Sequence, residues 1–180
     1  LQNHSQRLDL EEALSRLITK IKSITKTEII GLAECGERIL SEDIRAPISL
    51  PPFRSSAMDG YSIKREAYLK NPQQEFEVIG SSFAGKPFSG SMGIDQCVRI
   101  FTGAVVPDDA DMVMLQERAE ILPESRVKFS ENFENENHIR EVGNDIKKGT
   151  CVAKSKQKMT PYLIASLASL GLTQVPVFTK

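Results

Sequence analysis

The sequence is poor in the residues from which stapled or metal-built proteins are made. Three cysteines, Cys35, Cys97 and Cys151, stand far apart in 180 residues. An odd, sparse set gives no disulfide framework and points to a reducing compartment, so a cytoplasmic location is expected. No Cys-x-x-Cys occurs, and the two histidines, His4 and His138, are isolated. Structural zinc needs about four ligands at workable spacing and is not expected. An excess of charge of one sign is lacking too. The formal net charge is -1, so neither nucleic acid nor a membrane surface is an expected partner. No apolar run approaches the roughly 18 residues that cross a bilayer. The N-terminus has no basic start followed by an apolar block, so no secretory leader is read there.

What is present suits a globular chain. Apolar residues make up 40% and charged residues 26%, enough for one domain or two small ones. From Asp9 to Ile21, Leu10, Ala13, Leu14, Leu17, Ile18 and Ile21 recur at steps of three and four, which predicts an amphipathic helix. Asp9 is placed to cap it, with Glu12 three residues on, and its apolar face is expected to join a core. Three prolines between Pro47 and Pro52 predict an extended, irregular passage. Short strand-like segments follow: Phe76 to Gly80, Val98 to Gly103 and Asp111 to Gln116. Ala119 to Leu122 and Arg126 to Ser130 read as a hairpin. No helical crossovers separate them, which favours an antiparallel, barrel-like arrangement. Phe129 to Arg140 is polar and reads as a solvated loop. A second helix is expected at "MTPYLIASLASLG", with Thr160 as cap, Pro161 in the first turn and Gly171 after the end. Its apolar residues cover much of the circumference, so it should be largely buried. "QVPVF" then reads as a last strand. The fold class is α+β and mostly β: a β-rich domain inserted into a small α+β domain made from both chain ends.

Two stretches invite functional readings that fail on local chemistry. "GSSFAGKP", Gly80 to Pro87, matches the start of a phosphate-binding P-loop, but Pro87 stands where a Mg²⁺-binding hydroxyl is required and no helix follows. The acidic run Pro107 to Asp111 reads as a solvated turn, although one or two carboxylates can suffice for Mg²⁺. Three loops carry more. Asp59 in "SSAMDGY" reads locally as a turn residue, because Asp-Gly is a common turn pair. Thr102 and Gly103 in "FTGA" end a strand with a hydroxyl and a glycine that lets a ligand approach. Arg140 in "IREVGNDIKKG" is a fork donor suited to phosphate, followed by a tight turn at Gly143-Asn144-Asp145.

Taken in order, "LPPFRSSAMDGYSI", "AGKP", "VRIFTGAVVPDDADMVMLQE", "IREVGNDIKKG" and "LIASLASLGLTQVPVF" resemble the N-terminal half of the MoeA family. These are molybdopterin molybdenumtransferases, and the E domain of gephyrin belongs with them. The resemblance runs from about Leu10 to Phe178. It implies insertion of molybdate into adenylylated molybdopterin with release of AMP, and involvement of Mg²⁺. It also implies a homodimer whose site is completed by the other subunit, and a MogA/MoaB-type adenylyltransferase as a possible partner. Residues 1–46 and 147–180 would be the first domain and 47–146 the inserted second. The chain stops where a third domain would begin, so the isolated chain is expected not to turn over. Carried over residue by residue, Asp59, Thr102 and Asp145 take catalytic positions, and Arg140, Ser56, Met58 and Gly103 substrate-binding ones. Asp59 and Asp145 could hold Mg²⁺ or polarise a water; the metal ligands stay open. Asn144 replaces the family's usual glutamate. Arg54-Ser55 stands where many members have Asp-Asn, which would change the charge beside Asp59. A non-catalytic scaffold of the gephyrin type is the alternative, and a Mg²⁺-dependent phosphohydrolase built on Asp59 and the Pro107–Asp111 turn the weakest reading.

Overall fold

A computed structural model describes residues 8–129 and 137–180. His4 and most of the polar stretch before Arg140 lie outside the described residues. The chain forms two compact units, one from residues 1–44 and 151–180, the other from residues 45–150.

In the first unit, α1 (Leu10–Lys20) starts as expected: the Asp9 carboxylate accepts a hydrogen bond from the Glu12 amide at 2.8 Å. Arg16 and Glu12 form an i,i+4 ion pair one turn on, so the helix is supported along its own surface. Its apolar face is not in a core. Leu10, Leu14, Leu17, Ile18 and Ile21 are between 48% and 74% exposed, and no residue of α1 is buried. Periodicity marks a face but not its occupant, and here the unit's own core is filled by other elements. β1 (Thr27–Gly31) pairs antiparallel with the last strand of the chain, β12 (Gln174–Phe178). Before β12 comes α3 (Pro161–Ser169), with the Thr160 hydroxyl accepting from the Leu163 amide and Gly171 at φ +79° beyond its end. Leu163 and Leu167 pack into a core with Leu40, Met159, Val175 and Val177, and Leu170 is buried as well. α3 is buried along that stripe only; Tyr162 is 87% exposed and Ala168 is exposed, so the expectation of burial around most of its circumference does not hold.

The other strands in chain order are β2 (Ile44–Arg45), β3 (Ser55–Ser56), β4 (Gly60–Ile63), β5 (Glu75–Ser82), β6 (Gln96–Ile100), β7 (Met112–Leu115), β8 (Ala119–Leu122), β9 (Arg126–Phe129), β10 (Ile139–Arg140) and β11 (Cys151–Ala153). A short α2 (Arg65–Lys70) follows β4. The second unit is built on a six-stranded sheet in the order β7-β4-β6-β5-β9-β8. β8 and β9 form the expected hairpin. One pairing departs from the antiparallel expectation: β5 and β6 run parallel, with a register shift between Val78 and Ser81. The connection from Phe83 to Asp95 is long enough to carry the chain back without a helix. Alternate residues feed two cores. Cys97, Met112 and Met114 join Tyr61, Phe76 and Phe129 on one face; Val98, Ile100 and Val113 join Met92, Ala104 and Val106 on the other. Strands buried on both faces read as continuous apolar runs, which is why "MVML" shows no alternation. All three thiols are free, and burial pushes the Cys97 thiol up to about 12.

Candidate functional site

The segment from Pro51 to Gly60 is held on two sides, by the loop that carries Arg140 and Asp145 and by the loop that carries Thr102 and Gly103. At its start, the amides of Asp145 and Gly143 donate to the carbonyls of Leu50 and Pro51 at 2.9 and 3.0 Å. β3 then pairs antiparallel with β10, Ser55 opposite Arg140 and Ser56 opposite Ile139. On its other side the Ser56 amide donates to the Ala104 carbonyl at 3.0 Å, and the Gly103 amide to the Ser56 carbonyl at 2.9 Å. Two hydrogen-bonded residues of one short strand therefore bring "SSAMDG", "FTGA" and "IREVGND" together.

"FTGA" is a tight turn. The Ala104 amide donates to the Phe101 carbonyl at 2.9 Å, and Gly103 sits at φ +81°, the third turn position where a side chain is disfavoured. This presents Thr102 to Asp59. Asp59 Oδ1 accepts from the Thr102 amide at 2.8 Å and from the Thr102 hydroxyl at 2.7 Å. These bonds, backbone first, hold the Asp59 carboxyl below its ordinary value, with a smaller contribution from the nearby Arg99 charge. Asp59 is half-buried, and its carboxylate stays ionised through the neutral range. A group so biased is a fixed negative charge and acceptor, not a proton donor, because a general acid works best with a pKa near the operating pH.

Gly60 has a different job from the turn role that Asp-Gly suggests. It begins β4, paired with Ile100 on one side and Leu115 on the other. A Cβ on Gly60 would lie 1.9 Å from the Met114 carbonyl oxygen. The glycine permits close approach of backbones, and Asp59 sits at the mouth of that tightly packed strand.

Arg140 and Asp145 form a second cluster. Arg140 Nη2 donates to both carboxylate oxygens of Asp145 at 2.6 Å, with both side chains about half exposed. The arginine's hydrogen bonds are the main cause that holds the Asp145 carboxyl low. Its other guanidinium nitrogens have no hydrogen bond among the described residues, and the side chain is 44% exposed. Gly143, at φ +74°, turns the chain so that Asp145 comes back beside Arg140.

The other sequence-marked residues fall into place around these two clusters. Ser56 is buried; its hydroxyl donates to the Met58 carbonyl and accepts from the Met58 amide, so it shapes the loop. Met58 is 43% exposed. Arg54 donates to the Ala110 carbonyl at 2.6 Å and lies 3.9 Å from Glu141. The cation that acts on the Asp59 carboxyl is Arg99. Asp109 and Asp111 accept from the amides of Met92 and Arg65, which accounts for the acidic turn. Lys86 and Phe83 exchange two backbone hydrogen bonds around Ala84-Gly85, so "GSSFAGKP" is a strand end and tight turn. Sequence reasoning missed Arg99 and Gln116. The available signal was an arginine between Val98 and Ile100, in a strand whose neighbours all go inside.

The family described as the MoeA N-terminal region (domain I and II) matches residues 8–171. The chain is 38% identical over 175 residues to the molybdopterin molybdenumtransferase of Haemophilus influenzae, covering 96% of this chain and 42% of that protein. With the Bacillus subtilis molybdopterin molybdenumtransferase it shares 32% identity, covering 96% and 41%. With gephyrin of Dictyostelium discoideum it shares 31%, covering 92% and 25%. A crystal structure of the molybdopterin biosynthesis protein MoeA from Pyrococcus horikoshii superposes with a TM-score of 0.83 at 28% identity, over 96% of this chain and 44% of that one. The chain spans about two fifths of the length of the transferases it matches. With the motif-bearing loops gathered on β3 and a match that runs almost from end to end, the chain belongs to the MoeA N-terminal domain family.

Proposed function

We propose that this chain is the N-terminal part of a molybdopterin molybdenumtransferase, and that its Asp59–Thr102 and Arg140–Asp145 clusters form one wall of the site where molybdate enters adenylylated molybdopterin and AMP leaves. The observation that carries the reading is the pair of hydrogen bonds from Thr102 to Asp59 Oδ1, which fixes an ionised carboxylate on the "SSAMDG" loop. Splitting a phosphoanhydride needs positioning and charge stabilisation more than covalent chemistry. Arg140, anchored by Asp145, supplies guanidinium donors for a phosphate or molybdate oxygen. Asp59 accepts from substrate N–H groups or from a water. Among the described residues no three His, Cys, Asp or Glu side chains cluster as a metal site; Mg²⁺ held by one or two carboxylates, Asp59 or Asp145, together with substrate phosphates belongs to the same reading.

A gephyrin-like scaffold is the second reading, favoured by the similarity to the Dictyostelium protein. The two separate in one assay. Adenylylated molybdopterin and molybdate are given to this chain alone and to a protein of the relatives' full length that carries it. AMP release is expected from the longer protein only. Turnover by the chain alone would overturn the claim that it supplies one wall of the site. Silence from both would favour the scaffold.

The apolar stripe of α1 supports a homodimer. A row of five large aliphatic residues, each about half exposed or more, is a surface that normally meets a partner. Light scattering is expected to give the mass of two chains, and Leu14→Asp with Ile18→Asp to give one chain with the helical signal kept. A mass of one chain before substitution would count against the dimer.

A further inference from the structure

We propose that Arg99 is a positioning residue for Asp59: its guanidinium closes a ring of hydrogen bonds that fixes the carboxylate against Thr102. The geometry forms a closed circuit. Arg99 Nη1 donates to the carbonyl of Gly60, the residue after Asp59, at 2.7 Å. Arg99 Nη2 donates to Gln116 Oε1. The Gln116 amide donates back to the Asp59 carbonyl at 3.1 Å. Thr102, which binds the Asp59 side chain, lies three residues after Arg99 along the chain. Asp59 is thereby held at its side chain, at its own carbonyl and at the next carbonyl, and two of those three anchors run through one guanidinium.

The guanidinium is itself clamped. It lies 5.0 Å from the centre of the Tyr61 ring and 4.7 Å from that of Phe101, and Phe101 stacks on Phe83 at 4.7 Å. Tyr61 is buried in the core of the sheet. An arginine sandwiched between two rings loses little further freedom when its fork binds two acceptors. A lysine at this place would keep the charge but reach only one acceptor and stack poorly. Arg99 touches no reacting atom in this arrangement; it acts through Asp59.

The step to catalysis rests on the transferase reading, but the test of positioning does not. In this 180-residue chain, amide exchange is measured by NMR for Thr102 and Gln116, and for Val98 and Ile100 as core controls. In Arg99→Lys and in Arg99→Met, the Thr102 and Gln116 amides are expected to exchange about tenfold faster, with the controls unchanged, because local opening is separable from global unfolding. The Thr102 amide proton is expected to move upfield as its bond to the carboxylate loosens. Unchanged exchange at Thr102 would overturn the proposal. Equal acceleration of all four amides would also overturn it, by showing a merely structural role. In a full-length protein carrying the same change, kcat is expected to fall with KM nearly constant. A loosened Thr102 with kcat intact would leave Arg99 as the positioner and remove Asp59 from the transfer step.

Discussion

Gly60→Ala is expected to cost about 3 kcal/mol or more of stability, near or beyond the upper end for overpacking. The added methyl would meet the Met114 carbonyl oxygen at 1.9 Å, the Met114 carbonyl carbon at 2.9 Å and Leu115 Cα at 3.3 Å. All three are backbone atoms, so no rotamer change relieves the clash. β4 is hydrogen-bonded on both sides, to β6 and to β7, and cannot shift away from one without disturbing the other. The sheet must part where Asp59 enters it. Urea unfolding should show a large fall in midpoint for Gly60→Ala. Gly36→Ala is the control, since nothing lies within 4 Å of the position its methyl would take; a change below about 1 kcal/mol is expected there. Equal midpoints for Gly60→Ala and the parent would show that the two strands are not held as described.

The second large effect is on chemistry. Asp59→Asn keeps the shape of the side chain and one acceptor oxygen but removes the charge. If Asp59 is a preorganised electrostatic group in the transfer, losing it costs about a hundred- to a thousand-fold in rate. Stability should change little, because the asparagine keeps an acceptor oxygen for Thr102, which sits in a turn that Gly103 already fixes. The pH dependence follows from the lowered pKa of Asp59. A carboxyl with a folded pKa below its unfolded one stabilises the fold above the unfolded value, and that contribution disappears as pH falls through the folded value. Across the neutral range Asp59 is ionised on both counts, so the rate deficit of Asp59→Asn is expected to be the same from about pH 6 to pH 8.

Much of this site was legible because its parts are local. Thr160, Pro161 and Gly171 mark α3 through capping and turn chemistry, and Gly103 marks its turn through a backbone angle; each acts within a few residues. Asp59, Thr102, Arg140 and Asp145 stood out as loop residues of the right chemistry at the right motifs. What no local pattern shows is who meets whom. The parallel pairing of β5 with β6 depends on a connection whose path is set by tertiary packing, not by turn residues. The apolar stripe of α1 fits a core and a subunit contact equally well by periodicity. Gly60 looks like half of a turn because Asp-Gly usually is one; only the strand beside it, from Met112 to Leu115, reveals the reason for glycine. Arg99 was hidden for the same reason. Its two acceptors and two rings come from three places, Gly60-Tyr61, Phe101 and Gln116, and only their convergence distinguishes it from a surface arginine on a strand.

The transferase account rests on Asp59 as a working carboxylate. It is tested most directly by molybdate-dependent AMP release from adenylylated molybdopterin, compared between a full-length protein carrying this region and its Asp59→Asn form at saturating substrate. A fall of about a hundredfold or more, with the folded state intact by urea unfolding, is the predicted result. An unchanged rate would contradict it and leave Asp59 as no more than the residue before a tightly packed strand.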